Sequence, residues 1–351
     1  GLHMQAHPKF GYLFERTLST QSVCFGYNFC MDFGKYSVAA VIPAYRVERD
    51  IQDVIFGLPP AVKHIIVVDD ASPDSTADCV AAAAKTDRRV ILIRHPQNEG
   101  VGGAMVTGFN KALELGAQIV VKLDGDGQMD PAHIPALLAP LITGKADYAK
   151  GNRFRDFQSL RRMPLIRRLG NMALSFMSKI ATGYWNIFDP TNGFFAIRAE
   201  VLAKLPLDRL DKRYFFETSM LANLYLLEAF VLDVPIPARY GGEVSSLSIR
   251  RVLFEFPFKL LVTFFRRITL KHYFYDFSMM SVYLLVGIPL LLFGLIFGSI
   301  KWIQYASINV AAPTGTVMLS TLSVLLGIQL LLSAIEIDMN SVPKQPLTEK
   351  M

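Results

Sequence analysis

Cysteine is scarce: Cys24, Cys30 and Cys79 are the only three in 351 residues. Their spacing matches neither a metal site nor a disulfide scaffold, which fits a reducing compartment and leaves them as filler. Zinc-ligand spacing, a helix-turn-helix pattern and an aromatic RNA-binding signature are all missing, so the net charge of +6 does not point to nucleic acid. Charge itself is absent from residues 277–300 and 314–335. Each stretch exceeds the roughly 20 apolar residues needed to cross a hydrocarbon core. The first thirty or so residues hold no leader with a basic front and a small-residue cleavage site.

What is present divides the chain. Mean hydropathy is positive, at +0.32, because the apolar excess is concentrated behind residue 276, whereas residues 38–275 read as an ordinary globular mixture. Residues 1–36 read as an extension partly of engineered origin, with Met31 a sensible natural start. Residues 37–248 read as a catalytic domain, 249–275 as amphipathic juxtamembrane helix, 276–336 as a two-helix transmembrane hairpin and 337–351 as a tail. Basic residues cluster at 153–168 and 250–272. The second cluster alternates with aromatic and aliphatic groups, the composition either of a helix lying in a membrane interface or of a surface helix packed on its own core. Because it precedes the first span, it sets the catalytic side in the cytoplasm.

Within the front part, short apolar runs at 38–42, 65–68, 90–94 and 119–123 read as buried parallel strands. Helical spacing separates them at 47–58, 75–85 and 103–115. This alternation predicts an α/β fold with a doubly wound, mostly parallel sheet and ligands at the carboxyl ends of its strands. Further on, 147–151 and 191–197 read as strands, and 161–181 and 217–227 as helices.

The sharpest local signal is Lys122-Leu123-Asp124-Gly125-Asp126-Gly127-Gln128. Alternate residues leaving a strand end reach one hard cation, so Asp126, with Asp124 or Gln128, fits a divalent ion bridging the phosphates of a nucleotide-sugar. Alone, the motif is equally an acidic turn closed by Asx bonding. Two further strand ends add Pro43, Tyr45 and Glu48, and Asp69 and Asp70, along the same predicted edge. An aspartate there accepts from a base or ribose donor and Tyr45 covers a base by stacking, although each also suits a cap or packing contact. Asn98-Glu99-Gly100 through Gly103-Ala104 opens a helix after the third strand, a context in which Gly103 allows backbone to approach phosphate. The loop follows the wrong strand for a dinucleotide fingerprint, which excludes a hydride-transfer enzyme.

Taken in order, Val41 to Tyr45, Val68 to Thr76, Asn98 to Ala104, Asp124 to Gln128, Gly151 to Phe154 and Asp189 to Phe194 resemble the family 2 inverting glycosyltransferases. Within them the sequence is most similar to dolichol-phosphate mannose synthase and bacterial polyprenyl-phosphate glycosyltransferases. The resemblance covers about residues 38–250 and implies a nucleotide-diphospho-sugar transferase fold. It further implies that Pro43, Tyr45, Glu48, Asp69 and Asp70 hold the nucleoside, that Asp124, Asp126 and Gln128 organise Mg2+ or Mn2+ and the diphosphate, and that Arg153 contacts phosphate. The sequence departs from the family at Arg46 and Val47, where Asn-Glu usually follows the tyrosine, which shifts the glutamate to Glu48.

The implied reaction moves a sugar, with inversion, from a nucleotide-diphosphate sugar to a polyprenyl phosphate. Such an acceptor is already anionic near neutral pH, so positioning and charge neutralisation outweigh a strong base. The resemblance nominates Asp189 as the carboxylate nearest the reacting centre, with Asp126 and Arg153. Arg161, Arg162, Arg167, Arg168 and Arg239 are candidate holders of the acceptor phosphate, the first four equally readable as a solvated face. A bacterial cytoplasmic membrane location and a homo-oligomer, of the tetramer kind, follow by resemblance. A processive polysaccharide synthase shares such a front domain, but the Gln-x-x-Arg-Trp motif is absent. A non-catalytic membrane scaffold is the reading from another class.

Overall fold

The computed structural model describes residues 22–24, 30–32, 35–153, 165–236 and 249–347, with 165–169, 171 and 249–254 described by their helical backbone. Ser22–Cys24 and Cys30–Asp32 form a small antiparallel ribbon. The body is a seven-stranded sheet with β1 Val38–Ala44, β2 Val62–Asp69, β3 Val90–Arg94, β4 Ile119–Lys122, β5 Tyr148–Asn152, β6 Phe195–Arg198 and β7 Val231–Pro235. Their spatial order is β3-β2-β1-β4-β6-β5-β7. Neighbours are parallel except where β6 runs against both β4 and β5.

The apolar runs form strands because both faces are covered. Val38, Ala40, Ile42 and Ala44 of β1 point into one layer with α1 (Ile51–Phe56), α2 (Thr76–Thr86) and α4 (Ile134–Ile142). Ala39 and Val41 point into the other, with α3 (Val101–Glu114) and α6 (Phe216–Leu226). This strict alternation is the period of two of an extended chain carried into a two-layer core. After β1 the chain winds outward through β2 and β3, then returns to place β4 on the other side. The crevice outside the carboxyl ends of β1 and β4 is therefore the switch point, the place where α/β sheets bind ligands.

Among the elements not anticipated from the sequence are α4 and β7, and α1 begins later than the helical spacing at 47–58 suggests. The delay has a local cause: Arg46 sits in the left-handed region at φ 58°, so the chain turns before it coils. The predicted strand at 191–197 begins at Phe195, because Asn192 and Gly193 are spent in a turn over the site.

Helix α5 (Leu165–Thr182) packs on α6 and on α7 (Ile249–Thr269) through Leu174, Ala181, Phe215, Phe256, Leu260 and Phe264. The opposite side of α7 leaves Phe258, Leu261, Val262 and Phe265 exposed. A π-helical turn, Leu270–Tyr275, then leads to α8 (Met279–Ser307) and α9 (Thr314–Asn340). At 29 and 27 residues, both are long and apolar enough to cross a membrane. They pack through small residues: a Cβ on Gly294 or Gly327 would lie 2.8 or 2.7 Å from the other helix's backbone nitrogen. Beyond α9 the chain turns back, and Val342 and Leu347 pack on the core of the sheet. There the Leu347 amide donates to Asp147 at 2.9 Å.

Candidate active site

At the end of β1, Tyr45 stands 43% exposed with the Arg46 guanidinium 5.3 Å from its ring centroid. The turn that carries them is stitched to the end of β2. Arg46 N donates to Ser72 Oγ at 3.2 Å, Val47 N donates to Thr76 Oγ1 at 3.0 Å, and Glu48 accepts from Ser75 N at 3.0 Å. Glu48 thus faces the first turn of α2, where a carboxylate is favoured by the helix dipole. The Asp74 carboxyl is desolvated by burial, but its bonds from Thr76 overcome this and hold it below the usual range.

Asp69 and Asp70, 2% and 3% exposed, close β2. Asp69 accepts from Ser72 N at 3.3 Å and lies 3.8 Å from Arg94. Asp70 accepts from His95, Glu99 N and Gly100 N at 2.8, 2.9 and 2.7 Å, so its carboxylate shapes the loop that opens α3. The glycines of that loop also have a packing reason, beside the phosphate approach read from the sequence. A Cβ on Gly102 would lie 2.0 Å from the Asp211 carbonyl, and one on Gly103 would lie 2.6 Å from Glu99 Cβ. Both of their amides donate to Lys212 O, at 2.9 and 3.3 Å. The loop is thus packed on the protein's own 211–213 segment.

At the end of β4, Asp124 is half-buried and accepts from Lys122 Nζ at 2.8 Å, while Asp126 accepts from Gln128 N at 3.1 Å. Lys122 is wholly buried between Asp124 and Glu217, the latter at 3.1 Å. Burial would lower its pKa, but the two carboxylates outweigh that and hold it above the ordinary lysine value. The Asp189–Phe194 turn lies directly on this pair: a Cβ on Gly193 would sit 2.2 Å from Lys122 Nζ and 3.1 Å from Asp124 Oδ2. Gly193 is therefore glycine because the turn must approach the β4 carboxylate closely.

Across the crevice, Arg153 at the end of β5 grips Asp189 as a fork, with Nε to Oδ2 at 2.8 Å and an Nη to Oδ1 at 3.2 Å. Asp189 is fully buried, so its carboxylate aims the guanidinium. Beneath them, Asp233 of β7 accepts from Asn152 Nδ2 and from Phe188 N, at 2.9 and 2.8 Å. These are the residues immediately before Arg153 and Asp189. Burial pushes Asp233 up to about 6, against the opposing pull of those bonds and of Lys150. Lys150, also buried, donates to Asn192 O, and its desolvation brings it down to about 8.

The structure thus gathers Tyr45, Glu48, Asp69, Asp124, Asp126, Arg153 and Asp189 along the carboxyl edge of the sheet. Arg161, Arg162 and Arg239 lie outside the described residues, and Arg167 and Arg168 are placed on α5 by backbone alone. Sequence reading missed Lys122, Lys150, Glu217 and Asp233. For the two lysines a signal existed, since a cation inside a run that reads as a buried strand needs a buried partner. Among the described residues no three His, Cys, Asp or Glu side chains converge into a ready-made metal cage. The donor chemistry nonetheless fits a hard cation, because Mg2+ is usually held by one or two carboxylates, with substrate phosphates and water completing its shell.

Residues 39–205 match the family described as glycosyl transferase family 2. A UDP-N-acetylglucosamine–dolichyl-phosphate N-acetylglucosaminyltransferase of Methanococcus voltae is 35% identical over 50% of this chain and 74% of its own length. An undecaprenyl-phosphate mannosyltransferase of Micrococcus luteus is 33% identical over 57% of this chain and 82% of its own. A polyprenol monophosphomannose synthase of Mycolicibacterium smegmatis is 33% identical over 61% and 83%. Among solved structures, glucosyl-3-phosphoglycerate synthase of Mycobacterium tuberculosis with Mn2+ and UDP superposes with TM-score 0.52 at 20% identity, over 67% of this chain and 82% of that one. At that identity the likeness is one of fold.

Proposed function

Because the chain belongs to glycosyl transferase family 2 and is a glycosyltransferase, we propose that it transfers one sugar, with inversion, from a nucleotide-diphosphate sugar to a polyprenyl phosphate at the cytoplasmic face of a membrane. The observation that carries this reading is the meeting of two opposite charge sets at one crevice. Asp124 and Asp126 follow β4, and the turn that starts at Asp189, the ion-pair partner of Arg153, brings Gly193 against Asp124. One set suits a cation with a diphosphate, the other a second anion. The relatives' names supply the lipid acceptor, and the α8–α9 hairpin supplies a reason for the enzyme to sit where that lipid is.

In this reading residues 37–248 form the catalytic body, 249–275 lie at the interface and 276–336 cross the bilayer. Asp124, Asp126 and Gln128 would hold Mg2+ or Mn2+, which when bound neutralises the departing nucleoside diphosphate. Tyr45, Pro43, Glu48, Asp69 and Asp70 line the nucleoside side, Tyr45 offering its exposed ring for stacking. Arg153, aimed by Asp189, meets phosphate, and Arg161, Arg162, Arg167, Arg168 and Arg239 draw in the acceptor's headgroup. A phosphate monoester has its second pKa around 6, so its oxygen attacks without a side-chain base. This suits a site whose buried carboxylate, Asp189, is already engaged with an arginine. The exposed stripe of Phe258, Leu261, Val262 and Phe265 on α7 supports an interfacial helix that keeps the crevice at headgroup depth.

The test is a screen of nucleotide-sugars with a short polyprenyl phosphate and Mg2+ or Mn2+, the product being weighed by mass spectrometry and its anomeric configuration read by NMR. A lipid carrying one phosphate-linked sugar of inverted anomeric configuration is expected. A polymer, or donor binding with no transfer from any sugar, would overturn the reading.

A further inference from the structure

Among the described residues the largest fully buried side chain is Arg267, near the end of α7. Its guanidinium donates to both oxygens of Asp338, at 2.6 and 3.0 Å, and to the carbonyls of Ile180 and Ala181 at the end of α5. It also lies 5.0 Å from the ring centroid of Tyr225 on α6. Asp338 belongs to the last turn of α9, and it accepts a third bond, from Trp185 Nε1 at 3.1 Å, with His272 Nε2 3.7 Å away. One carboxylate at the end of an apolar helix is thus bonded to the juxtamembrane helix and to the catalytic body together.

The contact with the catalytic body is not at an arbitrary place. Trp185 opens the loop that runs through Asn186, bonded to Val231 O at 3.4 Å, and Phe188, bonded to Asp233, into Asp189. Gly183 turns the chain into this loop at φ 83°, and a Cβ there would lie 2.9 Å from Arg267 Nη1. Past Asp338 the chain is held again, by Leu347 on Asp147. A helix that merely anchored the protein would need only apolar contacts. A buried ion pair carries a desolvation cost that is recovered only when its partners are fixed in place.

We propose that Arg267 and Asp338 form a latch through which α9 sets the Trp185–Asp189 loop, making Trp185, Arg267 and Asp338 positioning residues for the transfer. The inference rests on the functional reading given above, in that the loop it positions is the one carrying Asp189. The hairpin is then part of the catalytic apparatus, and a different membrane anchor would not replace it.

The full chain in detergent micelles, supplied with a short polyprenyl phosphate, separates positioning from anchoring, since no bilayer has to be reached. Trp185→Phe removes one N–H and keeps a ring beside Phe176, which packs on Trp185 at 6.1 Å. Its kcat should fall about tenfold or more, the scale on which ångström-level misplacement is felt. The KM for nucleotide-sugar and the melting temperature should stay near wild type. Asp338→Ala should lose more, and should also melt earlier. A second readout needs no substrate: hydrogen exchange across residues 183–193 should quicken by about tenfold or more in Asp338→Ala. Wild-type kcat in Trp185→Phe, or unchanged exchange in Asp338→Ala, would overturn the latch. A wild-type protein that transferred nothing would instead count against the functional reading, and the exchange measurement would still decide the latch.

Discussion

Asp233 shows how a single buried residue ties two segments of the candidate site together at a cost. Its Oδ2 receives Asn152 Nδ2 and Phe188 N, while Oδ1 is buried with no hydrogen-bond partner among the described residues. Burial raises its pKa to about 6. Between about pH 4 and 6 the folded state keeps a proton that the unfolded chain, with an ordinary aspartate pKa, has released. Ionised Asp233 therefore costs stability above that window, and the stability returns as pH falls through it. In Asp233→Asn the effect vanishes. Lowering the pH from 7.5 to 5 should favour wild type over this variant by roughly 1–3 kcal/mol, read as the change in their difference in unfolding free energy. A difference that stays flat, or moves the other way, would show that Asp233 does not titrate there. No sequence pattern exposes this residue, because Leu232-Asp233-Val234 reads like any strand with one outward acid. Only the meeting of β7 with two distant loops makes it a clamp. Asp124 and Asp126 were legible for the opposite reason, since their spacing is local and their strand ends where they begin.

At the scale of elements, the parallel strands and their helices were readable because the period of two and the apolar runs are written into short windows. The antiparallel β6 was readable as a strand but not in direction, which depends on pairing with β4 and β5. Helix α4 escaped notice behind Pro135 and Pro140, although Pro135 sits in its first turn, where a missing N–H costs nothing. The turn from Asp189 to Phe194 was marked by resemblance, and its physical reason is the approach of Gly193 to Lys122 and Asp124. Gly193→Ala should push Lys122 off Asp124, lowering transfer at least about tenfold and stability by roughly 1–3 kcal/mol, as overpacking usually does. Gly170, with nothing among the described residues within 4 Å of where its Cβ would stand, is the control. Gly170→Ala should leave the unfolding midpoint unchanged or slightly higher. Equal stability of the two alanine variants would mean that the turn yields without strain and that Gly193 is not needed for close approach.

For the whole molecule, the division into a globular front and an apolar back was visible in charge alone, because residues 277–300 and 314–335 contain none. What composition concealed is that the two parts are not joined end to end. Charge returns after the second span at Glu336 and Asp338, and the second of these acids is buried against Arg267 and Trp185. The chain then returns to the sheet at Leu347. Together with the basic cluster ahead of α8, this holds the crevice of β1 and β4 in a defined relation to the hairpin, as an enzyme acting on a lipid headgroup requires. The account as a whole rests on the carboxylates at the end of β4, so the decisive measurement is sugar transfer to polyprenyl phosphate by purified Asp126→Ala beside wild type, in saturating Mg2+ or Mn2+. Loss of more than about a hundredfold is predicted, the size of removing a principal charge-stabilising contact, and transfer at the wild-type rate would contradict it.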